Sequence, residues 1–260
     1  MVTKAKKALL ASLAAFLCVM LTVFGLSMSV SLSETAKAAD ETTAEVAEVN
    51  GVKFATLAEA VNAVSDGGEI VVYSGVYTIP DVTYTGKSFT ISAGVDQTVS
   101  FDMSVAHAIH GAKVSFNNVT FDYKTNNNYI GLQHADTLTY KGCTINGMVF
   151  LYATNETFNG CTFNQTSKDA YNVWTYGAKN VAFNQCVFNS AGKSVLVYNE
   201  GANPKTDLTV SETKFVASEK VDGKAAIEID TSFMAGGTTI TIDDKTTATD
   251  FAEGSNSGST

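Results

Sequence analysis

Three stretches of the chain repeat one phrase: LTYKGCTIN from Leu138 to Asn146, ETFNGCTFN from Glu156 to Asn164, and VAFNQCVFN from Val181 to Asn189. Looser copies flank them, FNNVTFD from Phe116 to Asp122 and VSETKFV from Val210 to Val216. Superposition puts Val119, Cys143, Cys161, Cys186 and Thr213 in one column, and Phe121, Ile145, Phe163, Phe188 and Phe215 in the column two places on. Every second position is apolar and rich in β-branched or aromatic residues, the pattern of strands and not of helices. The copies lie 24, 18, 25 and 27 residues apart. A fixed phrase at variable spacing describes a constant coil joined by variable loops.

A coil of that length holding short strands fits a right-handed parallel β-helix, in which each coil stacks about 4.8 Å above the last and equivalent side chains pile into ladders. The cysteines then form an inward row of small buried hydrophobes between Val119 and Thr213. Thiolates that bind a metal converge on a point, whereas these line up along an axis, so no metal site is expected of them. Asn146, Asn164 and Asn189 form an amide ladder at the following turn, with Asp122 in the same column.

The first 38 residues read as an address. Lys4, Lys6 and Lys7 precede an uncharged apolar run from Ala8 to about Leu32, and Ala36-Lys37-Ala38 offers a signal-peptidase site. Such a run also suffices to span a bilayer if it is not cleaved, so a membrane is a partner only in that case. Export places the product outside the cell, secreted or on a surface, in keeping with a bacterium. Three of the four cysteines follow the leader, an odd number that is not an intrachain disulfide framework. The net charge is −9 and all 17 basic residues are lysine. Nucleic acid is a poor partner for such a surface.

Residues 39–50, ADETTAEVAEVN, read as a flexible acidic segment. In the next stretch Thr56 and Glu59 make a capping box ahead of Leu57, Val61 and Val64, predicting a helix at about 57–65 that Asp66-Gly67-Gly68 ends. Laid across the open end of the coil, this helix removes a sheet edge. The β-helix domain is assigned to residues 51–242, and 243–260 to a low-complexity tail.

The T-L-x-E-A-V-x-x-V-x-x-G-G-x-I-x-V-x-x-G-x-Y stretch from Thr56, followed by coils closing on F-x-x-C-x-F-N, resembles the right-handed parallel β-helix proteins of the pectin lyase-like superfamily over about residues 50–242. The resemblance implies the fold. Its functions range from polysaccharide lyases and glycoside hydrolases to non-catalytic surface proteins and adhesins. Pectate-type lyases of the family use calcium on clustered aspartates with an arginine base, and this chain has no arginine. Galacturonase-like hydrolases place N-T-D, D-D and G-H-G motifs on successive coils. Here the adjacent pair Asp243-Asp244 lies near the C-terminal end and G-H-G does not occur. No catalytic residue, metal or cofactor is assigned.

The strand before each repeated phrase supplies a third face. Counting back from the phrase aligns His110, His134, Tyr152 and Gly177, which stacks two histidines as a candidate pH-sensitive pair. On this face the more compact set, Ala106/Ala108, Ile130/Leu132, Met148/Phe150, Val173/Thr175 and Val195/Val197, is placed inward. His107/Ile109, Gly131/Gln133, Val149/Leu151, Trp174/Tyr176 and Leu196/Tyr198 then face outward. Val149, Leu151, Trp174, Tyr176, Leu196 and Tyr198 make an apolar strip that monomers seldom leave uncovered. Tyr129, Tyr171 and Asn126 to Asn128 border it. The strip suits stacking on the sugar rings of a glycan, anchoring a surface protein, or burial under residues 39–50 or 199–207. The reading is a binding module for a glycan or protein, with a divergent polysaccharide lyase or glycoside hydrolase as the alternative.

Overall fold

A computed structural model describes residues 44–80, 84, 86–124, 129–198, 205–230 and 237–253. All belong to one compact unit, residues 43–260. The expected leader, 1–38, lies outside the described residues.

The unit is all-β apart from one short helix, with parallel strands stacked coil upon coil in a manner consistent with a β-helix solenoid. Each repeated phrase supplies two strands. Asn155–Asn159 joins a ten-stranded sheet and Thr162–Asn164 an eight-stranded sheet, while Val173–Trp174 joins a third, four-stranded sheet. The next coil repeats this with Asn180–Asn184, Val187–Ser190 and Val195–Val197. The registers reproduce the sequence columns: Phe121, Ile145, Phe163, Phe188 and Phe215 are partners in turn.

Stacking converts these columns into ring ladders. Phe163 lies parallel on Phe188 with centroids 4.3 Å apart, and Phe188 on Phe215 at 4.6 Å. A second ladder sets Tyr140 against Phe158 at 4.4 Å. Each buried ring contributes roughly 1.5–3 kcal/mol through burial, and each ring pair about 0.5–1.5 kcal/mol more. The column of Val119, Cys143, Cys161, Cys186 and Thr213 is buried throughout, as the repeat predicts. The thiols point at backbone carbonyls, Cys143 Sγ to Phe116 O at 3.3 Å and Cys186 Sγ to Phe158 O at 3.4 Å.

The helix, α1, spans Leu57–Ala63. Thr56 Oγ1 accepts from the Glu59 N–H at 3.2 Å and Glu59 Oε2 accepts from the Thr56 N–H at 3.0 Å, completing the expected capping box. Leu57, Ala60 and Val61 are buried in the main core. The helix stops before residue 65 because Val64 is already extended, with ψ 133°, and Gly67 turns the chain at φ 76° into the strand Gly68–Val72.

Both expected boundaries of the domain move outward. Within 39–50, Ala47–Val49 is a strand paired antiparallel with Val52–Phe54 and with Gly68–Val72, and Ala47 and Val49 are buried. The alternation A-x-V packs inward there, so the acidic composition marks only the outward positions; residues 39–43 lie outside the described residues. At the other end Thr247–Thr249 pairs in parallel with Lys214–Val216, and Phe251 packs on the main core. The stack therefore continues beyond residue 242; of the expected tail, 254–260 lie outside the described residues.

Candidate functional site

Strand pairing on the third face fixes which side chains look outward. Val149 pairs with Val173 and Val173 with Val195, all in the main core, while Phe150 pairs with Trp174 and Trp174 with Leu196. Val149 and Leu151 are therefore core residues, not members of an outward strip, and Met148 and Phe150 take the outward positions. The same one-residue change applies to the coil at 106–109, where Ile109 is buried in the core and Ala106 is exposed. His107 pairs with Leu132 and is likewise buried. Trp174, Tyr176, Leu196 and Tyr198 lie in clusters separate from the main core, with Leu196 and Tyr198 themselves buried.

The reason for the change lies in the turns. Gly147, at φ 85°, bends the chain sharply, so only Gly147 and Met148 separate Thr144–Asn146 from Val149–Phe150. The next coil spends residues 165–172 on the corresponding connection. Both of these turns are even in length and leave the phase alone. The connection after the third-face strand differs by one residue, 151–154 before Asn155–Asn159 against 175–179 before Asn180–Asn184, and a one-residue difference reverses which side chain a count back from the phrase places outward.

Outward from the core, rings from several coils meet. Trp174 lies 5.2 Å from Phe150 and 5.2 Å from Tyr198 between ring centroids. Tyr176 meets Tyr129 at 5.3 Å, Tyr152 at 5.5 Å and Tyr198 at 5.8 Å. Phe150, Leu196 and Tyr198 form the buried floor, whereas Trp174, Tyr152 and Tyr176 are half-buried and Tyr129 is 51% exposed. The Nε1–H of Trp174 is buried without a hydrogen-bond acceptor among the described residues. Beneath Tyr152 the backbone must come close: a Cβ on Gly131 would sit 2.0 Å from the Phe150 carbonyl oxygen and 3.1 Å from the Tyr152 ring. Glycine is the residue that lets these coils approach and the ring lie flat.

One border of the strip is charged. Tyr171, buried, hydrogen-bonds through its hydroxyl to the carboxylate of Glu228, which stands in the outward column after Leu196. Lys224 Nζ donates to Tyr171 Oη at 3.2 Å and to Glu228 Oε2 at 3.4 Å. Lys193 Nζ lies 4.9 Å from the centroid of the Tyr171 ring, a cation–π contact. Burial, and then the neighbouring Lys224, lower the Lys193 pKa from its ordinary value. Tyr171 stands 6.2 Å from Trp174. The cluster thus anchors the connection carrying Tyr171 to the rung at Glu228, 57 residues later.

His110 and His134 stack as the columns imply, with ring centroids 4.7 Å apart and planes 5° from parallel, both exposed. Sequence reasoning missed Phe150 and Tyr152 through the reversed alternation. It also missed Glu156, although the repeat aligns that residue with Leu138 and Val181 in an inward column. Glu228 lies on a coil whose phrase had diverged too far to align. Among the described residues no group of His, Cys, Asp and Glu is arranged to hold a metal ion. No family model, curated protein or solved structure matches the chain.

Proposed function

We propose that the chain is an exported right-handed parallel β-helix of the pectin lyase-like kind, capped at one end by α1, and that it serves as a non-catalytic binding module for a glycan. The observation that carries this reading is the outward aromatic face, in which Trp174, Tyr176 and Tyr152 present ring surface above a buried floor, with Tyr129 exposed at its edge. Sugar rings carry C–H faces that pack on aromatic planes, and their hydroxyls suit a polar rim such as the exposed Tyr129. An interface with a surface protein draws on the same residues; the exposed tyrosine at the edge, Tyr129, favours the glycan.

The test is a panel of neutral and acidic oligosaccharides titrated into the purified chain, with Trp174→Ala and Tyr176→Ala alongside. Saturable binding weakened by about 2 kcal/mol or more in either variant supports the reading. Binding of no glycan, with capture of a defined surface protein sensitive to the same variants, makes the face a protein interface. Release of unsaturated or reducing ends places the chain among the lyases or hydrolases.

A further inference from the structure

Glu156 occupies a column that is otherwise apolar. Val114, Leu138, Val181 and Leu208 stand in register with it on the neighbouring strands, and Glu156 itself is 2% exposed. One oxygen, Oε1, accepts both the Tyr152 N–H at 2.8 Å and the Ala153 N–H at 2.9 Å. The groups facing the carboxyl are these two amides, the aliphatic neighbours and the phenols of Tyr123 and Tyr140, which feel its charge. Among the described residues no lysine pairs with it. The two N–H donors alone would favour a carboxylate, but burial in an apolar column with no cation at hand penalises the charge more, so the site suits a neutral acid whose carbonyl oxygen accepts both N–H groups and whose other oxygen carries the proton.

The peptide that Glu156 holds is the one that presents the Tyr152 ring to Phe150, 6.5 Å away, and Tyr176, 5.5 Å away. We infer that Glu156 is a protonation-dependent positioning residue for the aromatic face: the neutral acid fixes the Tyr152–Ala153 backbone, and loss of the proton to solvent loosens it. A carboxylate there has to be solvated. The flanking strands are held by ladders on both sides, so the cheapest route for water is through the turn at 152–154. Burial raises the Glu156 carboxyl to about 8, which puts the transition within reach of ordinary buffers. The inference concerns the free protein and holds whether or not the face binds a glycan.

The experiment follows the Tyr152 and Ala153 amides by hydrogen exchange from pH 5 to 9, corrected for intrinsic rates, together with Trp174 emission. Glu156→Gln keeps the carbonyl acceptor and cannot ionise. Protection of both amides is expected to fall at least tenfold through about pH 8 in the wild type, with Trp174 emission following the same midpoint, and to stay level in the variant. The same pH dependence in the variant overturns the inference, as does constant protection in the wild type. If Glu156→Gln does not fold, the carboxyl carbon of Glu156 is titrated by NMR in the wild type, where a midpoint below pH 6 overturns the inference and one near 8, tracking amide protection, upholds it.

Discussion

Nδ2 of Asn164 donates to Oδ1 of Asn146 at 3.0 Å, and Asn189 repeats the bond to Asn164 at 2.9 Å. Asn164 gives to the coil before it and receives from the coil after it, so the ladder has a direction. Asn180 to Asn155 at 2.8 Å and Asn184 to Asn159 at 2.9 Å run the same way on the ten-stranded sheet.

That direction makes Asn164→Asp a sharp test. At neutral pH the carboxylate still accepts from Asn189 but has no proton for Asn146, and its charge stands two rungs from Asp122 in the same column. The expected cost is about 1–2 kcal/mol at pH 7. Near pH 3 the protonated acid donates an O–H and the cost shrinks. Urea midpoints of wild type and variant at the two pH values measure it; an equal loss at both would mean the bond to Asn146 contributes nothing.

The cysteine column gives a graded prediction. Donation of its S–H to Cys161, and then burial, push the Cys143 thiol far above the ordinary range, and all three described thiols are buried. Alkylating reagents are expected to reach Cys143, Cys161 and Cys186 only on unfolding. Serine in this column finds an acceptor, because Thr213 Oγ1 already donates to Ser211 O, two residues back, at 2.9 Å and Cys161 Sγ points at Asn159 O in the same relation. Cys161→Ser should therefore cost only about 1 kcal/mol, and Cys161→Val less, since Val119 fills the equivalent place. Thermal unfolding ranks them, and a serine loss of several kcal/mol would show that the hydroxyl is not satisfied.

The repeat was legible because stacking forces equivalent residues into contact: Cys143, Cys161 and Cys186, and Asn146, Asn164 and Asn189, fall where the phrase puts them. The third face was half legible. Its strands are two or three residues long, as in Val149–Phe150 and Val173–Trp174, too short for alternation to announce its own phase. Phase there is set by the length of the connection to the next phrase, residues 151–154 in one coil against 175–179 in the next, and composition does not encode that one-residue difference. The strand Ala47–Val49 was hidden for a related reason, since three residues among acids look like a linker until their partner strands are known. His110 and His134 were found because each stands close before its phrase strand, Lys113–Asn117 or Thr137–Lys141, on the near side of the one-residue difference.

Glu156 carries a pH prediction for global stability. An unfolded glutamate titrates near 4.5 and the folded one at about 8, so the folded state keeps a proton that the unfolded state has lost over that window. Stability from this group is complete below pH 4.5 and declines as pH rises through 8. The slope approaches about 1.4 kcal/mol per pH unit between those values. Glu156→Gln should flatten it, leaving the variant relatively more stable at pH 8 than at pH 5. Chemical denaturation at half-unit intervals shows this directly; parallel curves for the two proteins would mean that the carboxyl ionises at its ordinary value.

Trp174 separates a working surface from a sealed one. Its ring touches Phe150, Tyr198 and Tyr171 yet remains half-buried, so Trp174→Ala removes part of a satellite cluster and leaves the main core intact. The expected loss is about 1–2 kcal/mol, short of the roughly 3–5 kcal/mol of a fully buried tryptophan. As the sole tryptophan it also reports its own exposure. Acrylamide should quench it to a degree between free indole and a core residue, and a ligand stacked on the ring should reduce that quenching. Complete shielding in the free protein together with a large stability loss would mean the face is closed by the chain itself, and the glycan reading would lose the observation that carries it.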